Sequence, residues 1–368
     1  MVIFMDFSKR LAWRARRKWG RISGVLKPRL KTRVLENPKG FRAALARWFG
    51  KHGKDYPWRR TRDPYAILVS ELMLQQTQIA TVLGKGYYTR FLAAFPDLAS
   101  LAAADDAALL KAWEGLGYYR RGRMLRETAR AVLTDHGGLF PQDLERLMKL
   151  PGIGRYTAGA LRAFAFEVPA VLVDGNVTRV LARLLDFSDP VDDAAGIGRM
   201  WEWAGILADP KRPAIYHAAL MELGQVLCRP GLADCLNCPV AHFCEAADPE
   251  RLPVKRRKIQ VTRVDEHALW LRDGAGRLLL HHEGGLRRTG LWKLPTRDAA
   301  QLLHLPVLTE HRYAITRYQV NLRVHDGSAP GPPVRLARGD SWRDPGEVPV
   351  LAMAAPFRRV VERLLKDS

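Results

Sequence analysis

The sequence predicts a mainly α protein that ends in a smaller α/β domain, and three observations lead there. From about Phe41 to Ala247 the apolar residues recur with a 3.6-residue period, broken by glycine and proline turns. That stretch shows no alternation of strand and helix of the kind a parallel sheet needs. Beyond it the texture changes to short β-like runs at 267–271, 277–281, 312–316 and 319–324, followed by a closing helix over 356–365. At 368 residues the chain is long enough for two or three domains with real cores. The expected divisions are a basic extension over 1–37, a helical domain over 38–248, a basic linker over 249–263 and the α/β domain over 264–368.

The extension holds eleven Lys or Arg between residues 1 and 36, against Asp6 and Glu36. Trp13 and Trp19 lie among them, and no apolar stretch of the secretory type interrupts the charge. It reads either as a basic arm for non-specific DNA contact or as an extension with no role. Over the whole chain the net charge is +21, with a pI near 10.2. Such a balance points to a polyanionic partner, and no apolar run is long enough to span a membrane, so nucleic acid is the expected partner.

Within the helical part, helix starts are expected at Asp63-Pro64 and Pro96-Asp97, and stops at Gly84, Gly137-Gly138 and Gly231. Glu71 falls on the apolar face of PYAILVSELMLQQTQ, where desolvation should raise its pKa toward neutrality and fit it to be a general acid. Gln75, Gln76 and Thr77 follow at the helix end, a cluster of hydrogen-bonding groups able to reach base edges or fill a base stack. The run from Glu114 to Arg123 interleaves glycines with Tyr118, Tyr119 and three arginines, suiting a wedge that enters a duplex while holding its phosphates.

Leu150-Pro151-Gly152-Ile153-Gly154 should end one helix, turn through a positive φ and launch the next at Arg155, leaving amide N–H groups free for a phosphate. About twenty residues on, Asp174 closes an apolar segment before a turn. Asn176 is able to cap the helix expected over 177–185, which would leave Asp174 free to face a cleft. One protonated and one ionised carboxylate are what glycosidic cleavage requires, and here the leaving group would be a base.

The four cysteines, Cys228, Cys235, Cys238 and Cys244, lie within seventeen residues as C-x6-C-x2-C-x5-C, which leaves none for disulfides and implies a reducing compartment. Zinc commonly takes two close pairs. One close pair flanked by two wider spacings fits a [4Fe–4S] cluster better.

Together the QQT run after Glu71, the GLGYY segment, LPGIGRYTAGA, VDGNVTRV and the four cysteines resemble the helix-hairpin-helix DNA glycosylases with an iron-sulfur cluster, specifically the MutY-type adenine DNA glycosylases. The resemblance covers roughly 41–247. It implies a two-subdomain helix-hairpin-helix glycosylase fold with the active site between the halves, acting as a monomer in the cytoplasm on double-stranded DNA containing A:8-oxoguanine or A:G mispairs. It implies that Glu71 protonates adenine, Asp174 stabilises the sugar cation and Asn176 positions the site. Gln76 and Tyr118 would intercalate near the oxidised guanine, and Gly152 and Gly154 would clamp a phosphate. Related endonuclease III-type enzymes carry a nucleophilic lysine where this chain has Tyr156, so a monofunctional enzyme without strong lyase activity is expected. The second domain resembles, more weakly, the Nudix-like domain of the same family. Ile315-Thr316-Arg317 stands where many members have Phe-Ser-His, so Thr316 keeps a hydroxyl while the histidine becomes arginine. No glutamate-rich hydrolase box occurs. Two other readings stay open, a mismatch thymine or uracil glycosylase of the same fold and a non-catalytic iron-sulfur DNA-binding protein.

Overall fold

The computed structural model describes residues 32–256, 260–285, 288–330 and 335–367. Most of the basic extension, residues 1–31, lies outside them. Its last residues belong to the fold, because Thr32 and Val34 are buried and Val34 joins a helical core.

The helical part runs α1 (Arg33–Glu36), α2 (Pro38–His52), α3 (Pro64–Leu74), α4 (Ile79–Gly84), α5 (Tyr87–Ala94), α6 (Leu98–Ala103), α7 (Asp106–Ala112) and α8 (Arg120–His136). It continues with α9 (Leu144–Lys149), α10 (Arg155–Phe164), α11 (Gly175–Leu184), α12 (Ala194–Leu207) and α13 (Pro213–Val226). Local chemistry sets many of the ends. Asp63 accepts from the amides of Tyr65 and Ala66 with Pro64 in the first turn, Asp97 and Ser100 form a reciprocal capping box, and Gly137 closes α8 in the left-handed conformation. The stop expected at Gly231 is not one: α13 has already ended at Val226, and Gly231 turns a loop in which Cys228 bridges Ala233.

Two cores divide these helices. The first is built from residues between Tyr65 and Leu161, so α3 to α10 form one lobe. The second joins Val34, Phe41 and Leu45 to residues 177–243, so the N-terminal helices pack with α11 to α13 into another. The chain therefore leaves one lobe and returns to it, which places a cleft where α3 and α10 meet the start of α11.

The α/β region holds β1 (Thr262–Trp270), β2 (Leu278–His282), β3 (Trp292–Lys293), β4 (Thr296–Arg297), α14 (Ala299–Leu302), β5 (Val307–Ile315), β6 (Tyr318–Asp326), β7 (Asp340–Arg343) and α15 (Ala355–Lys366). One sheet has the order β4-β1-β6-β5, with β1 parallel to β6; the other is antiparallel, β3-β2-β7. Phe357, Val360 and Val361 of α15 pack with Leu278, Leu280, Leu322 and Val324. The strands β3, β4 and β7 and the helix α14 lie outside the sequence expectation, because a two-residue strand and the polar DSWR strand offer no alternation to read.

The expected linker is docked in its first half. Leu252 is buried, its carbonyl accepts from Arg183, and the Val191 amide donates to Val254. The α/β region also rests on the helical part: Lys111 donates to the Pro349 and Leu351 carbonyls, Arg358 pairs with Glu114, and the Tyr119 hydroxyl reaches the Met353 carbonyl at 3.4 Å.

Candidate active site and helical hairpin

Glu71 lies in the middle of α3, where nine consecutive residues are buried and its own exposure is 8%. Burial lifts its pKa to about 7, the Asp174 charge adds to the lift, and a hydrogen bond from Tyr156 opposes it. No cation pairs with it among the described residues, so its neutral form is favoured. Tyr156, in the first turn of α10, also lies 3.5 Å from the Met221 sulfur, and burial with the two carboxylates keeps its phenol far above the ordinary range.

Asp174 approaches from the other lobe as the N-cap of α11. One carboxylate oxygen accepts from the Val177 amide at 2.7 Å and the other from Asn176 Nδ2 at 3.1 Å. This corrects the expectation that Asn176 would cap the helix and leave Asp174 free. Asp174 does both jobs, because its extended backbone (φ −110°, ψ −172°) aims one oxygen at the helix start. Asn176 is instead a bridge, accepting from Arg179 while donating to Asp174. Burial raises the Asp174 pKa, while the Val177 amide, Asn176 and Arg179 pull it back. The two carboxylates thus differ in kind: Asp174 has donors that stabilise its anion, and Glu71 has little more than one phenol.

Glu71, Tyr156, Asp174 and Asn176 line a single cavity of about 1020 Å³, together with Gln75, Gln76 and Thr77. Its far wall was not anticipated: Phe49, Tyr56, Trp58 and Arg59 line it, with Arg59 on buried Glu222 at 2.5 Å and over the Tyr56 ring at 4.6 Å. The aromatic and basic run from Tyr56 to Arg60 was the signal available for that wall.

A neighbouring depression of about 370 Å³ brings together Gln75, Gln76, Tyr118 and Gly152. Tyr118 is 40% exposed, and both it and Gln76 adopt left-handed backbone, with φ of 46° and 57°. Of the arginines expected to hold phosphates here, only Arg120 is exposed. Arg121 is buried against backbone carbonyls, and Arg123 binds Asp106 and the Thr289 carbonyl, because the start of α8 packs inward rather than facing solvent. Tyr119 likewise turns toward the α/β region.

In the hairpin between α9 and α10, Gly152 has φ 75°, and a Cβ there would meet Met124 Cβ at 2.7 Å. Gly154 needs no positive φ. It is the N-cap of α10, no side chain caps that helix, and the space beside it is open. Thr316 lies in neither cavity. It turns the β5–β6 hairpin with φ 52°, and its hydroxyl donates to the Ile315 carbonyl.

The cysteines follow α13 and border the core of the second lobe, with Cys235 exposed and the other three partly buried. Burial pushes the Cys238 thiol up to about 11, and the other three sulfurs add to the push, so the four share one neighbourhood. Arg183 donates to the Cys228 sulfur at 3.1 Å, and the Cys244 thiol donates to the Arg183 carbonyl. An all-sulfur donor set beside a buried guanidinium fits an anionic iron-sulfur group. Among the described residues no group of three or more His, Cys, Asp or Glu is set to hold a single metal ion, and no helix is long and apolar enough to cross a membrane.

Two helical lobes, a hairpin and a carboxylate pair between them place the chain in a class: the family model described as HhH-GPD superfamily base excision DNA repair protein matches residues 69–195. The chain is 36% identical over 200 residues to the adenine DNA glycosylase of Mycolicibacterium smegmatis, a match covering 54% of this chain and 67% of that protein. To the Mus musculus adenine DNA glycosylase it is 44% identical over 216 residues, covering 56% of this chain but only 41% of that protein. A thermostable thymine-DNA glycosylase superposes with a TM-score of 0.52 at 27% identity, over 57% of this chain and 96% of that one. The chain belongs to the adenine DNA glycosylase family of the helix-hairpin-helix superfamily.

Proposed function

We propose that this protein excises adenine mispaired with 8-oxoguanine or guanine in duplex DNA, leaving an abasic site in an uncut strand. The observation that carries this reading is Glu71, a carboxylic acid titrating near 7 that shares a cavity with Asp174 on the opposite wall. In the proposed mechanism the adenine is flipped into the cavity, since its glycosidic bond is out of reach inside the stack. Glu71 gives its proton to N7 of the base. The C1′–N9 bond breaks with its electron pair going to the base, and Asp174 stabilises the oxocarbenium ion left behind. A water adds to C1′ and its proton returns to a carboxylate. Tyr156 holds Glu71 by its hydroxyl and has no amine to form an imine, so strand cleavage is not part of the reaction.

Cys228, Cys235, Cys238 and Cys244 would hold a [4Fe–4S] cluster, whose contribution is to order the loop after α13 and add charge beside Arg179 and Arg183. We assign Gln76, Tyr118, Gly152 and Gly154 to the duplex and its phosphates, and Thr316, within a Nudix-like 264–368 domain, to the oxidised guanine. The protein acts as a monomer, and a cytoplasmic location suits its thiols.

Incubation with an A:8-oxoguanine duplex followed by hot alkali tests the proposal. Cleavage at the adenine only after alkali is expected, and an intact strand would refute it. The likeness to a thymine-DNA glycosylase favours a second reading, excision of mismatched thymine or uracil, which G:T and G:U duplexes in the same assay separate.

A further inference from the structure

We infer that Arg121 is a positioning residue that holds Gln76 and Tyr118, the two strained residues facing the duplex, in one fixed arrangement. The inference rests on the proposed function for its context and on geometry for its content. Arg121 is 9% exposed and has no carboxylate partner among the described residues. Its Nη1 donates to the carbonyls of Leu72 at 2.6 Å, Met73 at 3.1 Å and Gln75. Its Nη2 donates to the carbonyls of Leu116 at 3.0 Å and Gly117 at 3.2 Å, and to the Thr77 hydroxyl at 3.4 Å. One planar fork therefore ties the end of α3, which carries Glu71, to the GLGYY turn.

The choice of carbonyls is what makes this more than packing. Gln75 and Gly117 are the residues immediately before Gln76 and Tyr118, the two non-glycine residues of this surface with positive φ. Each such conformation carries a steric cost that glycine would avoid. Fixing the preceding peptide plane on each side lets Arg121 hold both against relaxation. The Tyr118 ring closes over the guanidinium at 5.4 Å and Trp113 at 5.6 Å, while Trp113 Nε1 also donates to the Gly117 carbonyl. The last turn of α3 presents its free carbonyls and negative dipole end to the cation, which explains how a buried charge is tolerated without a carboxylate. Lysine keeps the charge but lacks the planar fork that reaches both segments.

The test compares wild type and Arg121→Lys, with 2-aminopurine beside the target adenine reporting unstacking in a Glu71→Gln background. The expected result for Arg121→Lys is a loss of the unstacking signal and an excision rate lower by about 100-fold, with duplex binding changed by less than about threefold. The pH midpoint of excision should stay where wild type has it, since the acid is untouched. An unstacking signal equal to that of Glu71→Gln alone overturns the inference, as does a shifted pH midpoint with unstacking intact. Hydrogen exchange of the wild-type protein needs no variant: residues 72–78 and 113–121 should open as one cooperative unit, and independent opening overturns the inference. If wild type itself leaves the A:8-oxoguanine duplex intact, the proposed chemistry fails, whereas a cleaving wild type with indifferent Arg121→Lys removes this inference alone.

Discussion

Glu71 in the cleft and the shielded carboxylates of the α/β region are treated in opposite ways. Asp340, with no side-chain exposure, is met by Arg297, by His281 at 2.8 Å and by the Ala337 amide. Glu266 is held by Arg288 and by the Tyr313 hydroxyl, and Lys293 keeps Glu283 below its ordinary range against the lift of burial. Glu71 has no such cation among the described residues. Charges that brace the structure, buried Glu222 on Arg59 included, are neutralised where they stand, whereas an acid that must surrender a proton is buried without a counter-ion.

The sharpest way to break this contrast is to neutralise one member of each kind. Glu71→Gln should lower single-turnover excision by about 1000-fold, the range of a lost general acid, while Glu283→Gln changes it by less than about threefold. Comparable losses in both would erase the distinction. Asp174→Asn should cost about 100-fold through lost stabilisation of the cation. Its melting temperature should stay near that of wild type, because asparagine caps a helix about as well as aspartate. A large fall in melting temperature would mean that the cap, not the chemistry, explains the loss.

The pH dependence sharpens the same point. Since Glu71 must carry its proton, excision should fall by about tenfold per pH unit once the pH exceeds about 7. For stability the direction follows from the raised pKa. Glu71 titrates at 4.5 when unfolded and at about 7 when folded, so its contribution is complete below 4.5 and is lost as pH rises through 7. The loss above that window amounts to about 3 kcal/mol. Glu71→Gln should therefore melt increasingly above wild type between pH 5 and pH 8 in a calorimetric series. A constant difference would show that Glu71 is solvated. The smallest effect belongs to the α/β region: Thr316→Ala should lower excision opposite 8-oxoguanine by about fivefold, the worth of one hydrogen bond, and leave excision opposite guanine unchanged. Equal changes on both would remove Thr316 from base recognition.

Much of the helical part was legible because its signals are local. The Asp63-Pro64 start and the Asp97 capping box are decided within four residues, as is the Gly137 stop, and the position of Glu71 on an apolar stretch already announced its burial. The α/β region was less legible. Its long runs were seen, but β7 reads as polar and earns its place only by pairing with β2, and the register of β1 beside β6 joins residues more than fifty apart. The arginines of the GLGYY run illustrate the limit within the helical part itself, since a basic residue has the same appearance in sequence whether it meets a phosphate or, like Arg121, a row of carbonyls.

The inventory was already written in the residues: two acids of distinct surroundings, a glycine hairpin, a tyrosine in place of a lysine, four grouped thiols and a helical part followed by strands. These follow from periodicity, turn chemistry and residue type, all of which act over a few residues. It took the packed chain to make Asp174 cap its helix in the same cavity as Glu71, to set Arg59 in the cleft wall against buried Glu222, and to let Arg121 lock two segments together. Those outcomes depend on which helix ends converge when two separate cores exclude water, and that convergence is a property of the packed chain rather than of any one segment.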